Sequence, residues 1–203
     1  TTQAVTTGCS GTNFSFGIFS DTYGGQEGGL RRIFNEMLAK DPNIRFLTTG
    51  GDTDTLERVR GLVDSQLNDS LNCGATEFPW LPTVGNHEAD TPSVMAWWAD
   101  NWATNWTNPA SSRLATHLPG LTNFQKGPTS VLTQSGGSIA IPNGTIYSFD
   151  YRNAHFVSIY SYEQAISDSA AGAWDNNGSA VFDPSNSQLD WIQQDLQSTT
   201  KPF

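Results

Sequence analysis

Residues 44–52, Ile44-Arg45-Phe46-Leu47-Thr48-Thr49-Gly50-Gly51-Asp52, decide how the chain is read. The opening run is rich in β-branched and aromatic side chains and predicts a strand, which the two glycines stop in front of an aspartate. The same event occurs on either side of it. Upstream, Asn13-Phe14-Ser15-Phe16-Gly17-Ile18-Phe19 alternates apolar and small residues, reads as a buried strand, and stops at Ser20-Asp21 with Gly24-Gly25 beyond. Downstream, a strand around Trp80 to Val84 runs into Gly85-Asn86-His87-Glu88. Between these strands, Leu30, Ile33, Phe34, Met37 and Leu38 recur with the spacing of an amphipathic helix that Asp41-Pro42 closes, and Leu56, Val59, Val63 and Leu67 mark a second helix. Strand–helix–strand–helix–strand is the pattern of βαβ units, whose right-handed crossovers make the strands parallel. In such sheets ligands bind beyond the carboxyl ends of the strands. Asp21, Asp52 and the 85–88 loop are therefore expected along one sheet edge.

Working outward, residues 91–141 form a stretch rich in Trp, Asn, Ser and Pro, read as an insertion near that edge. It opens with Trp97, Trp98, Trp102 and Trp106, and the last three share one helical face. They suit a small local core better than a stacking lid. Ile146 to Tyr151 and His155 to Tyr162, joined through Arg152-Asn153, predict a β-hairpin. Ser187-Gln188-Leu189-Asp190 fits a capping box, and Leu189, Ile192 and Leu196 give the stripe of a last helix before Lys201-Pro202.

Composition narrows the function classes. The 203 residues suffice for one domain, 1–203, with a sizeable core. A formal net charge of −10 argues against nucleic acid as a partner, because phosphate-backbone binders need a basic surface. No apolar run is long enough to span a membrane. The cysteines, Cys9 and Cys73, are too far apart for a zinc motif and are candidates for a disulfide. Asn-x-Ser/Thr sequons begin at Asn13, Asn68, Asn105, Asn143 and Asn177. With few lysines and few cysteines, these candidate glycosylation sites favour an extracellular, secreted protein.

A two-metal phosphoesterase centre needs oxygen and nitrogen ligands, an acidic bridge between the cations, and a proton donor for the leaving group. Asp21 and Asp52 supply carboxylates at successive strand ends, Asn86 a neutral carbonyl oxygen, and His87 a proton donor. On these residues the chain resembles the calcineurin-like metallophosphoesterase superfamily, to which the purple acid phosphatases are related. Asp21-Thr22-Tyr23, Gly51-Asp52 and Gly85-Asn86-His87-Glu88 match, in order, motifs written D-x-H, G-D and G-N-H-[DE]. Tyr147 to Phe156 and Gln188 to Leu196 are similar to family segments without metal roles. The resemblance implies an α/β four-layer sandwich of mixed sheets flanked by helices. It implies that Asp21 binds the first metal, Asp52 bridges, Asn86 binds the second and His87 is the general acid, with Glu88 orienting His87 or its loop. The metals would be two ions of the Mn, Fe or Zn group, acting on phosphate mono- or diesters.

The resemblance has departures. Tyr23 stands where the family has a histidine ligand, and ligation by its phenolate is kept as an alternative to a role beside the metal or facing substrate. Purple acid phosphatases have a tyrosine ligand where this chain has Thr55. The family's two later histidine motifs have no counterpart, and neither His117 nor His155 replaces them convincingly, so the chain reads as the N-terminal portion of the domain, incomplete at its C-terminus. Completion by a C-terminal portion, by a separate chain or by self-assembly is then expected. The rival reading is a non-catalytic structural or adhesive extracellular protein on the same scaffold.

Overall fold

The computed structural model describes residues 13–22, 27–41, 43–53, 56–67, 77–85, 87–88, 92–108, 113–132, 138–160 and 188–202. Strands β1 (Ser15–Phe19), β2 (Ile44–Thr49) and β3 (Trp80–Leu81) form a parallel sheet in the order β1-β2-β3. Helices α1 (Glu27–Lys40) and α2 (Leu56–Gln66) make the two crossovers. Consecutive right-handed crossovers in one direction bring both helices to the same face of the sheet, and Arg31 of α1 donates to the Ser65 hydroxyl of α2 at 3.3 Å. Leu30 and Phe34 of α1 and Leu56, Val59, Leu62 and Val63 of α2 are buried. Gly17 makes room for α1, because a β-carbon there would collide with the Met37 side chain and with Leu47.

A second sheet is antiparallel, in the order β4-β7-β8, from β4 (Leu121–Lys126), β7 (Tyr147–Tyr151) and β8 (Ala154–Ser158). A separate hairpin joins β5 (Ser130–Leu132) to β6 (Ser138–Ala140). The hairpin β7–β8 and the last helix, α5 (Gln188–Ser198), match the sequence expectation closely. The two three-stranded sheets meet through aromatic rings. Phe46 of β2 lies 5.8 Å from Phe149, 5.7 Å from Tyr151 and 5.3 Å from Phe156, centroid to centroid. Offset and edge-on rings of this kind bury large apolar areas without leaving polar atoms unpaired. On β7 the residues between them, Ser148 and Asp150, point away from these rings, as the two-residue period of a strand requires.

The stretch 92–141 contributes to this architecture directly, since its β4 pairs with β7. It begins with α3 (Pro92–Trp97), which continues as a π-helix over Trp98–Trp106, and includes the short α4 (Arg113–His117). In the wider π-helical turn the Thr107 N–H reaches the carbonyl of Trp102 at 3.1 Å. Trp98, Trp102 and Trp106 are all buried. Trp102 donates its indole N–H to the Gly144 carbonyl at 2.9 Å, and Trp106 lies under the guanidinium groups of Arg60 and Arg113 at 4.8 and 5.2 Å. These tryptophans are core.

Two details depart from the sequence reading. β3 stops at Leu81 rather than near Val84, because Pro82 has no N–H to extend the ladder. Among the described residues β1 pairs with β2 alone, and Phe16 is 39% and Ile18 64% exposed instead of buried. No described helix is long and apolar enough to cross a membrane.

Candidate functional site

The ends of β1 and β2 are zipped together beyond the sheet. Gly50 N–H donates to Phe19 O at 3.0 Å, Asp21 N–H to Gly51 O at 3.4 Å and Thr22 N–H to Asp52 O at 2.9 Å, so that Thr22 and Thr53 pair as a last parallel bridge. Asp21 and Asp52 thus occupy equivalent positions at the carboxyl ends of neighbouring strands. Both hold a left-handed backbone, with φ of 54° and 56°. For a residue with a β-carbon this conformation costs about 1–2 kcal/mol, although aspartate tolerates it better than most. Asp21 is exposed and accepts from the Ser20 hydroxyl at 2.7 Å, whereas Asp52 is half-buried.

The loop after β3 is drawn against Asp52 by a carboxylate. Glu88 is fully buried, and its Oε2 accepts the backbone N–H of Asp52 at 2.9 Å and of Gly85 at 2.7 Å. Its other oxygen accepts from Thr53 N–H. Charge-assisted bonds to backbone donors are among the stronger ones available, and together they fix the left-handed turn that carries Asp52. Glycines permit this approach. A β-carbon on Gly51 would sit 2.7 Å from Gly85 Cα, and one on Gly85 would overlap the Asp52 backbone nitrogen and carboxylate. Gly51 itself has φ of 95°. His87 follows from the same geometry: its backbone N–H donates to Asp52 Oδ1 at 3.3 Å, and its residue is half-buried. Thr83 N–H to Thr49 Oγ1 at 3.0 Å and Thr48 Oγ1 to Leu81 O at 2.8 Å hold the base of the loop to β2.

Asp21, Asp52, His87 and Glu88 are therefore brought to one sheet edge, and Glu88 acts on the backbone of Asp52, Thr53 and Gly85. The bond to Gly85 holds its own loop, as the sequence predicts, and those to Asp52 and Thr53 tie that loop to the end of β2. The Thr22–Thr53 pairing and the Gly51–Gly85 contact escaped the sequence reading, although the repeated Asp-Thr after each strand was a visible signal. Beside the two aspartates, the hydroxyls of Thr22 and Thr53 are buried with no hydrogen-bond partner among the described residues. Tyr23 and Asn86 lie outside the described residues, as do Thr55, Cys9, Cys73, Asn68 and Asn177. Asn13, Asn105 and Asn143 are exposed, and the Asn105 amide donates to Asp100 O at 3.0 Å.

Other polar candidates sit elsewhere. Arg152 donates to the carbonyl of Asn13 at 2.8 Å, at the start of β1 and so at the end opposite Asp21. His117 is bonded to Glu77 at 3.2 Å, and burial pulls its pKa below the usual histidine value. His155 is enclosed between Asp150 and Asp195. Among the described residues no three or more of His, Cys, Asp and Glu gather as a metal-holding group. Comparisons of the chain with protein-family models, with curated proteins and with solved structures returned no match.

Proposed function

We propose that the chain carries the metal-binding half of a dinuclear phosphoesterase centre and belongs to a secreted enzyme that hydrolyses phosphate mono- or diesters. The observation that carries this reading is the pair of aspartates in register at adjacent strand ends, each in a costly left-handed turn, with the backbone N–H of His87 donating to one of them. Strain of this kind persists where surrounding contacts enforce it and is concentrated at functional sites. The fit to a metal rests on donor chemistry. Carboxylate oxygens suit divalent cations of the Mn, Fe and Zn group, and the exposed Asp21 is reachable from solvent. Asp21 and Asp52 would hold the ions, with Asn86 and Tyr23 assigned by resemblance alone. When bound, such ions would offset the charge of the phosphoryl oxygens and lower the pKa of water.

The remaining steps belong to the chain. Asp52, fixed through Glu88 and the Thr22 bond, orients the carboxylate that joins the two ligand loops. His87 donates its proton to the departing alkoxide, a contribution typically of about 10²–10⁴-fold. The parallel sheet facing a second sheet supports the four-layer sandwich as the architecture. The test is hydrolysis of an aryl phosphate and a bis-aryl phosphate in the presence of Mn²⁺ or Zn²⁺ by the native protein and by His87→Ala and Asp52→Asn. Turnover that falls in both variants, with metal retained only in His87→Ala, is expected. Turnover unchanged in both would overturn the assignment.

A second reading is favoured by the exposed Phe16 and Ile18 on the open edge of β1, which suit self-association in a structural or adhesive protein. Concentration-dependent oligomerisation lost in Ile18→Lys, together with absent metal binding, would support it over the enzyme.

A further inference from the structure

Helix α5 is seated by its polar residues. Gln188, at its first position, is buried and clasps one backbone unit in both directions: its Oε1 accepts the Tyr160 N–H at 2.6 Å and its Nε2 donates to the Tyr160 carbonyl at 3.0 Å. Two turns further along the same helical face, Asp195 is also buried. Its Oδ2 lies 2.8 Å from His155 Nε2, and its Oδ1 accepts from the Ser148 hydroxyl at 2.7 Å. The second nitrogen of His155 lies 2.7 Å from Asp150 Oδ1, so one imidazole joins a carboxylate of the β7–β8 hairpin to a carboxylate of the helix. Asp150 in turn accepts from Asn123 of β4 at 2.7 Å and from Thr199, just beyond α5, at 3.4 Å. Of its described apolar side chains, Trp191, Ile192 and Leu196 are half-buried.

An apolar stripe loosens by degrees, since burial is non-directional. Polar sockets behave differently, because their bonds are made or lost together and a buried carboxylate without its partner is costly until water reaches it. Hydrating Asp195, His155 and Ser148 requires the helix to leave the sheet. We propose that α5 is a polar latch, a helix held by one directional socket at Gln188 and another at Asp195, which detaches from the sheet as a single unit before the core unfolds. The parallel sheet, whose central strand β2 is buried on both faces, does not share that opening.

Native-state hydrogen exchange across a denaturant series tests this on the whole chain. The amides of α5 are expected to exchange as one group, earlier than those of β2. Ser148→Ala removes one bond to Asp195 and Gln188→Ala removes the other socket, and each is expected to speed exchange across all of α5 by roughly tenfold or more, as one group. The milder Ser148→Ala keeps the test informative if Gln188→Ala folds poorly. Exchange of α5 together with β2 in the native protein, or acceleration in Ser148→Ala and Gln188→Ala confined to the amides next to the substituted residue, would overturn the latch.

Discussion

Two clusters of acidic residues use the same chemistry to opposite ends. Under α5, Asp150 and Asp195 are buried with His155 between them, and hydroxyl and amide groups of Ser148, Asn123 and Thr199 complete the set. At the strand ends, Glu88 is equally buried and satisfied by backbone N–H groups, but Asp21 faces solvent and Asp52 is half-buried. The first cluster closes on itself, each carboxylate partnered by the histidine and by neighbouring hydroxyl or amide groups. The second spends a buried carboxylate on shaping the loops and leaves one other exposed and one half-buried. Interior carboxylates thus stabilise, while those at the sheet edge are positioned at a cost in backbone strain. That contrast separates a structural polar network from a candidate active site when both contain an aspartate and a histidine.

The contrast breaks if the buried cluster tolerates substitution. His155→Leu leaves two carboxylates facing an apolar side chain and is expected to lower unfolding stability by about 3–5 kcal/mol, measured by urea denaturation. An effect below about 1 kcal/mol would mean the cluster is hydrated rather than closed. Glu88→Gln turns an acceptor that serves several N–H groups into a group with donors of its own, with an expected loss of about 1.5–3 kcal/mol. The same variant should weaken metal binding, because Asp52 loses the contact that fixes its turn.

Acid titration sharpens the comparison. Burial pushes the Asp150 carboxyl up, but the bonds from His155 and Asn123 outweigh it and hold the group below its ordinary value of 3.8. A depressed folded value means that Asp150 contributes stability above the unfolded pKa and loses it as the pH falls through the folded one. Thermal melts between pH 5 and pH 2 should therefore fall less steeply in Asp150→Asn than in the native protein, from a lower starting stability. The smallest change is expected at the exposed edge. Asp21→Gly relieves the left-handed backbone at φ of 54° and should leave stability unchanged or raise it by up to about 1 kcal/mol. A marked loss of melting temperature would show that the Asp21 side chain supports the fold.

Much of this arrangement was legible in the sequence because it rests on local periodicity. The stripes over residues 30–38 and 56–67, and the Gly-Gly-Asp stop after Thr49, are set by neighbours in the chain, and β2, α1 and α2 follow them. The aspartates were recognisable for the same reason, as each ends a strand. What escaped depended on tertiary partners. The exposure of Ile18 depends on which parts of the molecule cover that face of β1 among the described residues, and the strand's own alternation carries no record of that. The bonds of Glu88 to residues 52 and 53 required knowing that the 85–88 loop meets the end of β2. Helix α5 was read from Leu189, Ile192 and Leu196, yet Gln188 and Asp195 seat it, because their partners on β7, β8 and Tyr160 are distant in sequence.

The central claim is that Asp21 and Asp52 form a metal site, and calorimetric titration of the metal-free protein with Mn²⁺, alongside the Asp52→Asn variant, tests it most directly. Saturable binding that weakens at least tenfold in the variant, with both proteins equally folded by circular dichroism, is the predicted result. No binding by the native protein, or equal affinity in the two, would contradict it.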